Sequence, residues 1–165
     1  MSISLARIKF MVVDDNQHAI DLVKTMLRGF GVDQVIEAQT IADAKKALKG
    51  NTVDIVILDY LMGDEEGVTL ARHIRRDPAS PSPFVPIIML TGHADRNRVV
   101  AARDAGVNEF CVKPFTPADL MKRIMAVIDH PRPFVRSESY FGPDRRRYDD
   151  PKYKGPERRA DRKKR

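Results

Sequence analysis

The six residues from Asp54 to Asp59 read DIVILD, an apolar run that ends in a carboxylate. Since Ile, Val and Leu fill every interior position, the run predicts a strand buried on both faces, as in the interior of a parallel sheet. Open α/β sheets bind their ligands at the carboxyl ends of their strands. Asp59 stands at such an end and is therefore the first candidate for a functional residue, with the chemistry of a nucleophile.

Predicted strands and helices alternate on both sides of this run. Four further strands are predicted at 7–13, 34–38, 87–90 and 109–112, and five helices, counted with their caps, at 16–28, 40–48, 65–76, 95–105 and 116–128. A loop with four prolines occupies 78–86. Such alternation is typical of a parallel sheet with helices on both faces. We expect one α/β domain at residues 1–130, a doubly wound (βα)5 flavodoxin-like parallel sheet of order 2-1-3-4-5.

Composition and charge narrow the class of protein. The single cysteine excludes an internal disulfide and is typical of a reducing compartment. No signal-peptide pattern and no membrane-spanning run are found, so we expect a cytoplasmic protein without membrane insertion. The net charge of +6 is unevenly placed, because residues 131–165 hold 13 Lys+Arg and 6 Asp+Glu, whereas residues 1–130 hold 16 and 17. Any attraction for an anionic partner therefore resides in the C-terminal segment.

Five polar side chains fall at the carboxyl ends of four predicted strands. They are Asp14, Asp15, Asp59, Thr91 and Lys113. Three carboxylates at one edge repel each other unless a cation lies among them, and oxygen ligands of this kind suit Mg²⁺. A carboxylate nucleophile can form an aspartyl phosphate, and phosphoryl transfer requires cations and donors around the transferred oxygens. The pattern therefore predicts phosphoryl chemistry at this edge.

The set Asp14-Asp15, Asp59, Thr91 and Lys113-Pro114 resembles the receiver domain of two-component response regulators, and is similar to the single-domain chemotaxis type over about residues 5–130. The resemblance implies that Asp59 accepts a phosphoryl group from a histidine kinase or a histidine phosphotransfer protein. It also implies a signalling switch that acts on a downstream protein target. Such a protein is not a turnover enzyme, although it assists its own phosphorylation and dephosphorylation.

The same resemblance implies a role for each residue of the site. Asp14, Asp15, Asp59 and the backbone carbonyl of Leu61 would hold Mg²⁺. Lys113 would contact the phosphoryl group and precede a cis Pro114, Thr91 would follow the phosphate, and Phe110 would be the aromatic residue that changes position. On phosphorylation, the face around the last strand and the helices beside it would change and recruit the target.

Some residues depart from the family pattern or have a second interpretation. Gly63 stands where the family usually has proline, which we expect to loosen that loop. Phosphatases of the haloacid type also use an aspartate nucleophile after an apolar strand, but they need a second aspartate at the position of Leu61, which disfavours that class. Taken singly, Asp14 and Asp15 are possible helix caps, and Phe110 is a possible core residue.

Residues 131–165 form a segment of different composition. They contain no Leu, Ile or Met and five aromatic residues, so they cannot build a core of their own and are predicted to be mostly disordered. A repeat is present nevertheless: Gly142-Pro143-Asp144-Arg145-Arg146 returns as Gly155-Pro156-Glu157-Arg158-Arg159, and each copy supplies an Arg-x-x-Asp pattern, Arg146 to Asp149 and Arg158 to Asp161.

Three interpretations of the repeat stay open. In order of preference, the tail docks on a protein, binds cyclic di-GMP through arginines that match bidentate acceptors, or binds nucleic acid nonspecifically. Arg-x-x-Asp resembles the inhibitory-site motif for cyclic di-GMP. The candidate ligand or partner residues are Arg145, Arg146, Asp149, Arg158, Arg159 and Asp161. No DNA-binding domain follows residue 130, so sequence-specific DNA binding is not expected.

Overall fold

The structure is a computed structural model that describes residues 4–92 and 96–146. The strands are β1 (Lys9–Val13), β2 (Gln34–Ala38), β3 (Ile55–Asp59), β4 (Leu61–Met62), β5 (Glu65–Glu66), β6 (Ile87–Thr91), β7 (Glu109–Val112), β8 (Phe134–Arg136) and β9 (Phe141–Pro143). The helices are α1 (Gln17–Gly29), α2 (Ile41–Gly50), α3 (Gly67–Arg76), α4 (Arg96–Asp104) and α5 (Pro117–Asp129), after a 3₁₀ turn at Leu5–Arg7.

The central sheet has five parallel strands in the order β2-β1-β3-β6-β7. Counted in chain order, this is 2-1-3-4-5, so the predicted fold class and strand order are confirmed. Residues of β3 and β6 are all buried, as expected for interior strands of a parallel sheet. Each connection between neighbouring sheet strands contains a helix.

Alternate residues of the strands enter two separate cores. On one face, Val56, Leu58 and Met89 pack with buried residues of α2, α3 and α4. On the other face, Ile57 and Leu90 pack with buried residues of α1 and α5. Because both faces are covered, the functional groups of the sheet must reach solvent at the ends of its strands.

Local sequence signals set most helix starts. Asn16 caps α1, accepting from the backbone N–H groups of His18 and Ala19. Thr116 and Asp119 form a capping box at α5. Asp14 and Asp15 were possible caps for the first helix, but the cap is Asn16, where the predicted helix begins, since its side-chain oxygen reaches the free amides.

The third helix begins two residues later than predicted. The predicted helix started at residue 65, but Glu65 and Glu66 pair with Leu61 and Met62 in a small antiparallel hairpin. Its turn contains Gly63 at φ +63°, a conformation that proline, with φ fixed near −65°, cannot adopt. The departure at Gly63 therefore forms an ordered turn, where the sequence predicted a loosened loop.

Residues 131–146 of the C-terminal segment are ordered, which differs from the predicted disorder over that part. Residues 131–146, called the C-terminal extension below, contain the β8–β9 hairpin. Tyr140 and Phe141 are buried, and Phe84 lies 5.1 Å and 5.3 Å, between ring centroids, from Phe134 and Phe141. The extension orders because its aromatic residues pack against Phe84 and Arg75 of the main domain. Residues 147–165 lie outside the described residues.

Among the helices that the structure describes, none combines the length and the apolar character needed to cross a membrane.

Candidate functional site

The carboxyl ends of four parallel strands bring the predicted site residues together. Asp14 and Asp15 follow β1, Asp59 ends β3, Thr91 ends β6 and Lys113 follows β7. Asp14, Asp59 and Thr91 are buried, at 4%, 8% and 2% exposure. Five residues distant in the sequence thus share one edge of the sheet, as their positions predicted.

Lys113 is the cation of the site. Its Nζ atom donates to Asp59 Oδ1 at 2.8 Å and lies 3.6 Å from Asp14 Oδ2. Burial opposes the charge on Lys113, but the hydrogen bond and negative charge of Asp59, together with Asp14, outweigh burial and raise the pKa of Lys113. The ammonium group is therefore protonated and held against the carboxylate that we expect to react.

Asp14 is the carboxylate with the least favourable surroundings. Burial and the neighbouring charge of Asp59 raise the pKa of Asp14, although its Oδ1 accepts from the Asn16 backbone N–H at 2.9 Å and Lys113 lies nearby. The Asn16 N–H and Lys113 thus do not fully offset the effects of burial and of the Asp59 charge on Asp14. A further cation there would favour the ionised form of Asp14.

The donor set fits a hard divalent cation. Asp14, Asp15 and Asp59 each offer a carboxylate oxygen, and the three atoms lie within 4.8 Å of one another. Two of these residues are buried and Asp15 is exposed, so the cluster faces solvent on one side. Mg²⁺ binds through a few carboxylates while keeping several waters, which suits a half-open oxygen cluster.

The remaining predicted residues of the site lie at defined places. The Lys113–Pro114 peptide bond is cis, as the resemblance implied. Thr91 accepts the Lys113 backbone N–H at its carbonyl oxygen, at 2.7 Å, so the two strand ends are joined. Phe110 is half-buried in β7 and packs against the core shared with α2, α3 and α4. Leu61 begins the small hairpin directly after the site and is exposed.

The fold requires glycine at position 67, and the sequence analysis did not single out this residue. Its N–H donates to the Tyr60 carbonyl at 2.6 Å, and a β-carbon there would overlap the backbone oxygen of Asp59. Only glycine therefore allows α3 to begin this close to the end of β3. The sequence did contain a signal for this role, because Gly67 stands after a buried strand and directly before an apolar pattern of helical spacing.

Gly67→Ala is expected to lower the free energy of unfolding by about 2 kcal/mol, because the added methyl group forces α3 away from Asp59. Urea denaturation followed by circular dichroism measures the change. Gly29→Ala is the matched control: Gly29 ends α1, and a β-carbon there meets nothing within 4 Å. Equal stability of the two variants would contradict the close approach.

Two further features of this edge were not predicted. The Arg98 guanidinium lies over the Tyr60 ring, 5.2 Å from its centroid, and so holds α4 against the residue after Asp59. A cleft of about 210 Å³ opens beside Lys113. Its lining is mostly apolar and includes Leu22 and Phe115, with Leu22 56% exposed. Surface features of this kind have no signature in a single sequence.

Two of the six predicted tail residues, Arg145 and Arg146, are described, and both lie apart from this site. Arg145 donates to Asp104 Oδ1 at 2.9 Å and lies over the Tyr140 ring, 4.7 Å from its centroid. Arg146 donates its backbone N–H to Asp144 Oδ1 at 3.0 Å. The first repeat thus contributes to the fold of the extension. The other four candidates, Asp149, Arg158, Arg159 and Asp161, lie outside the described residues.

Comparison with known proteins places this geometry in context. A family model described as the response regulator receiver domain matches residues 10–125. The chain is 34% identical over 121 residues to the chemotaxis protein CheY1 of Helicobacter pylori, covering 73% of this chain and 96% of that protein. It is 33% identical over 121 residues to the chemotaxis protein CheY-3 of Vibrio cholerae, covering 73% and 92%. The crystal structure of Vibrio cholerae CheY4 matches with a TM-score of 0.67 at 27% identity, covering 73% of this chain and 98% of that one.

Proposed function

The chain belongs to the response regulator receiver domain family, and we propose that it is a phosphorylation-controlled switch in which Asp59 accepts the phosphoryl group. The observation that carries this proposal is the contact between the Lys113 ammonium and Asp59 Oδ1. Asp59 also offers a carboxylate oxygen within 4.8 Å of oxygens of Asp14 and Asp15. The match to the family model ends at residue 125, so the C-terminal extension lies beyond it.

The proposed reaction is phosphoryl transfer to a carboxylate. A carboxylate oxygen of Asp59 attacks phosphorus, the bond from phosphorus to the donor's imidazole nitrogen breaks, and its electron pair stays on that nitrogen. Lys113 stands next to Asp59 and donates to an oxygen of the incoming phosphoryl group. Thr91, at the adjacent strand end, supplies a hydroxyl to the same group.

Asp14, Asp15 and Asp59, with the Leu61 carbonyl, would hold Mg²⁺. When bound, this ion neutralises charge on the transferred phosphoryl oxygens. The residues of the chain orient the acceptor: Asn16 fixes Asp14 through its backbone N–H, and Lys113 fixes Asp59. Acid groups that are prearranged in this way lose little freedom when the ion binds.

The proposed partners are a phosphoryl donor and a downstream protein target. A histidine kinase or histidine phosphotransfer protein must bring its imidazole to Asp59, and the apolar cleft with Leu22 and Phe115 lies on that edge. Exposed apolar surface beside a reactive group favours protein docking. Output by protein–protein interaction follows, with phosphorylation changing the surface around β7, where Phe110 lies. We expect these encounters in the cytoplasm.

The open interpretations of the tail now differ in their support. Within the described residues, Arg145 is engaged by Asp104 and Tyr140, which favours docking on protein over binding of cyclic di-GMP or nucleic acid. For this reason we keep a contribution of the tail to protein–protein output as the proposal. Calorimetric titration with cyclic di-GMP is the direct check of the alternative.

Incubation with acetyl phosphate is expected to add one phosphoryl group in the presence of Mg²⁺ and essentially none in the presence of EDTA. The reason is that the three clustered carboxylates repel an incoming phosphate unless a divalent cation offsets their charge. Intact-protein mass spectrometry measures the labelled fraction, and circular dichroism in EDTA verifies that the fold persists. Equal labelling under both conditions would refute the metal site.

A further inference from the structure

Helix α4 lies between the Asp59 site and the C-terminal extension and contacts both. Near its amino-terminal end, Arg98 lies over the ring of Tyr60, which directly follows Asp59. At its carboxyl-terminal end, Asp104 accepts from Arg145 of the extension at 2.9 Å. This single helix of nine residues therefore runs from the carboxyl ends of the parallel strands to their amino ends.

This helix is weakly anchored to the core. Ala102 is the one buried residue of α4, all of whose residues are described, whereas α3 has six buried residues. Segments with few buried apolar contacts move at the lowest free-energy cost. Both α3 and α4 contact the extension, and α4 is therefore the one of these two that can shift while the sheet and α3 stay in place.

The extension fits closely against the residues that follow α4. A β-carbon at Gly142 would lie 2.8 Å from the Gly106 Cα, and a β-carbon at Gly106 would lie 2.9 Å from the Phe141 backbone oxygen. Gly106 has φ +93° and comes two residues after the end of α4. The Gly106 and Gly142 backbones are closely packed, and such packing does not deform gradually. When the Gly106 backbone is displaced, the contact with Gly142 is therefore lost.

We propose that phosphorylation of Asp59 shifts α4 and thereby loosens the docking of the C-terminal extension. The inference rests on the proposed function. A phosphoryl group adds negative charge beside Tyr60, and this charge attracts the Arg98 cation. A helix moves as a rigid unit, so a displacement at Arg98 reaches Asp104 and weakens its ion pair with Arg145.

The coupling must act in both directions. If phosphorylation weakens the docking, then weakened docking favours the phosphorylated arrangement by the same factor. The extension lies beyond the residues matched by the family model. When docked, it therefore disfavours the phosphorylated arrangement, and its release follows phosphorylation. Arg145 is the residue of the first repeat that transmits this effect, through its ion pair with Asp104.

Hydrogen exchange of the full-length protein tests the proposal. Two amides report on the docked hairpin: Ser137 donates to the Tyr140 carbonyl at 2.7 Å, and Asp144 donates to the Pro133 carbonyl at 2.8 Å. With Mg²⁺ and beryllofluoride as the phosphoryl mimic, exchange in residues 134–144 is expected to accelerate about fivefold or more. Arg98→Ala should remove the acceleration, whereas Arg96→Ala, an exposed position on the same helix, should preserve it.

The reverse direction supplies the second measurement. Arg145→Ala is expected to lower the beryllofluoride concentration for half-saturation, followed by NMR, by about fivefold. Lys122→Ala, which removes an exposed charge on α5, should not change it. Saturation by the mimic with unchanged or slower exchange overturns the coupling while leaving the proposed function intact. Absence of any labelling at Asp59 by acetyl phosphate overturns the proposed function and the coupling together.

Discussion

Asp59→Asn is expected to abolish labelling by acetyl phosphate and by any cognate phosphoryl donor. The amide is a poor nucleophile, and it also removes one of three carboxylates from the cluster that fits Mg²⁺. The variant should remain folded, because asparagine has the same shape and its side-chain oxygen can still accept from Lys113 Nζ. Mass spectrometry of the intact protein and of its peptides gives both the amount and the position of the label.

Asp64→Asn is the matched control for this experiment. Asp64 is exposed in the turn of the small β4–β5 hairpin, five residues after Asp59. The substitution removes one charge from the same edge of the sheet, yet Asp64 is not among the three carboxylates that converge. Labelling should therefore persist. A phosphoryl group found on the Asp59→Asn protein would show that another residue accepts it and would remove the basis of the proposed function.

Arg75→Ala is expected to lower the free energy of unfolding by about 4 kcal/mol. Arg75 is 3% exposed, and its guanidinium donates to the carbonyls of Gly106, Pro83 and Val85 at 3.0, 2.8 and 2.7 Å. It also donates to Asn108 Oδ1 at 2.9 Å. Truncation leaves these acceptors without their donor in a buried place, which costs more than the loss of an exposed contact.

The charge of Arg75 is stabilised by neutral groups. Burial lowers the pKa of Arg75 to about 9, which leaves the side chain protonated at neutral pH. Its Cζ lies 4.9 Å from the centroid of the Phe134 ring, so the extension contributes a cation–π contact to the same group. Arg75 thus joins α3, the proline-rich loop, the residues before β7 and the extension.

Arg72→Ala separates this effect from a general effect of arginine in α3. Arg72 is exposed on the same helix, so its removal should change stability by no more than about 0.5 kcal/mol. Urea denaturation followed by circular dichroism measures both variants. A loss below about 1 kcal/mol for Arg75→Ala would contradict the role of this side chain in joining α3 to the proline-rich loop, the residues before β7 and the extension.

Much of the site was predictable from the sequence because parallel strands impose a simple rule. Once 55–59 and 87–91 are recognised as buried strands, Asp59 and Thr91 must lie at the same edge, and Lys113 follows the neighbouring strand. The small hairpin before α3 escaped prediction because Glu65 and Glu66 are good helix formers. Pairing with Leu61 and Met62 outweighed that preference.

The C-terminal extension escaped prediction for a different reason. Its composition forbids a core of its own, and this remains correct when the extension is considered alone. Tyr140 and Phe141 are buried against a surface prepared by distant residues, among them Arg75 and Gly106. No local sequence pattern predicts that surface.

By itself, the sequence determined the strand–helix alternation and the set of acids, hydroxyl and lysine at the carboxyl ends of the strands, since periodicity and strand direction are local properties. The order of the strands was an expectation for this class of fold, and the structure confirmed it. The tertiary structure alone decided that residues 131–146 dock at the opposite edge and that α4 contacts both Tyr60 and Arg145. Such contacts join segments far apart in the chain, and they exist only where folding brings matching surfaces together.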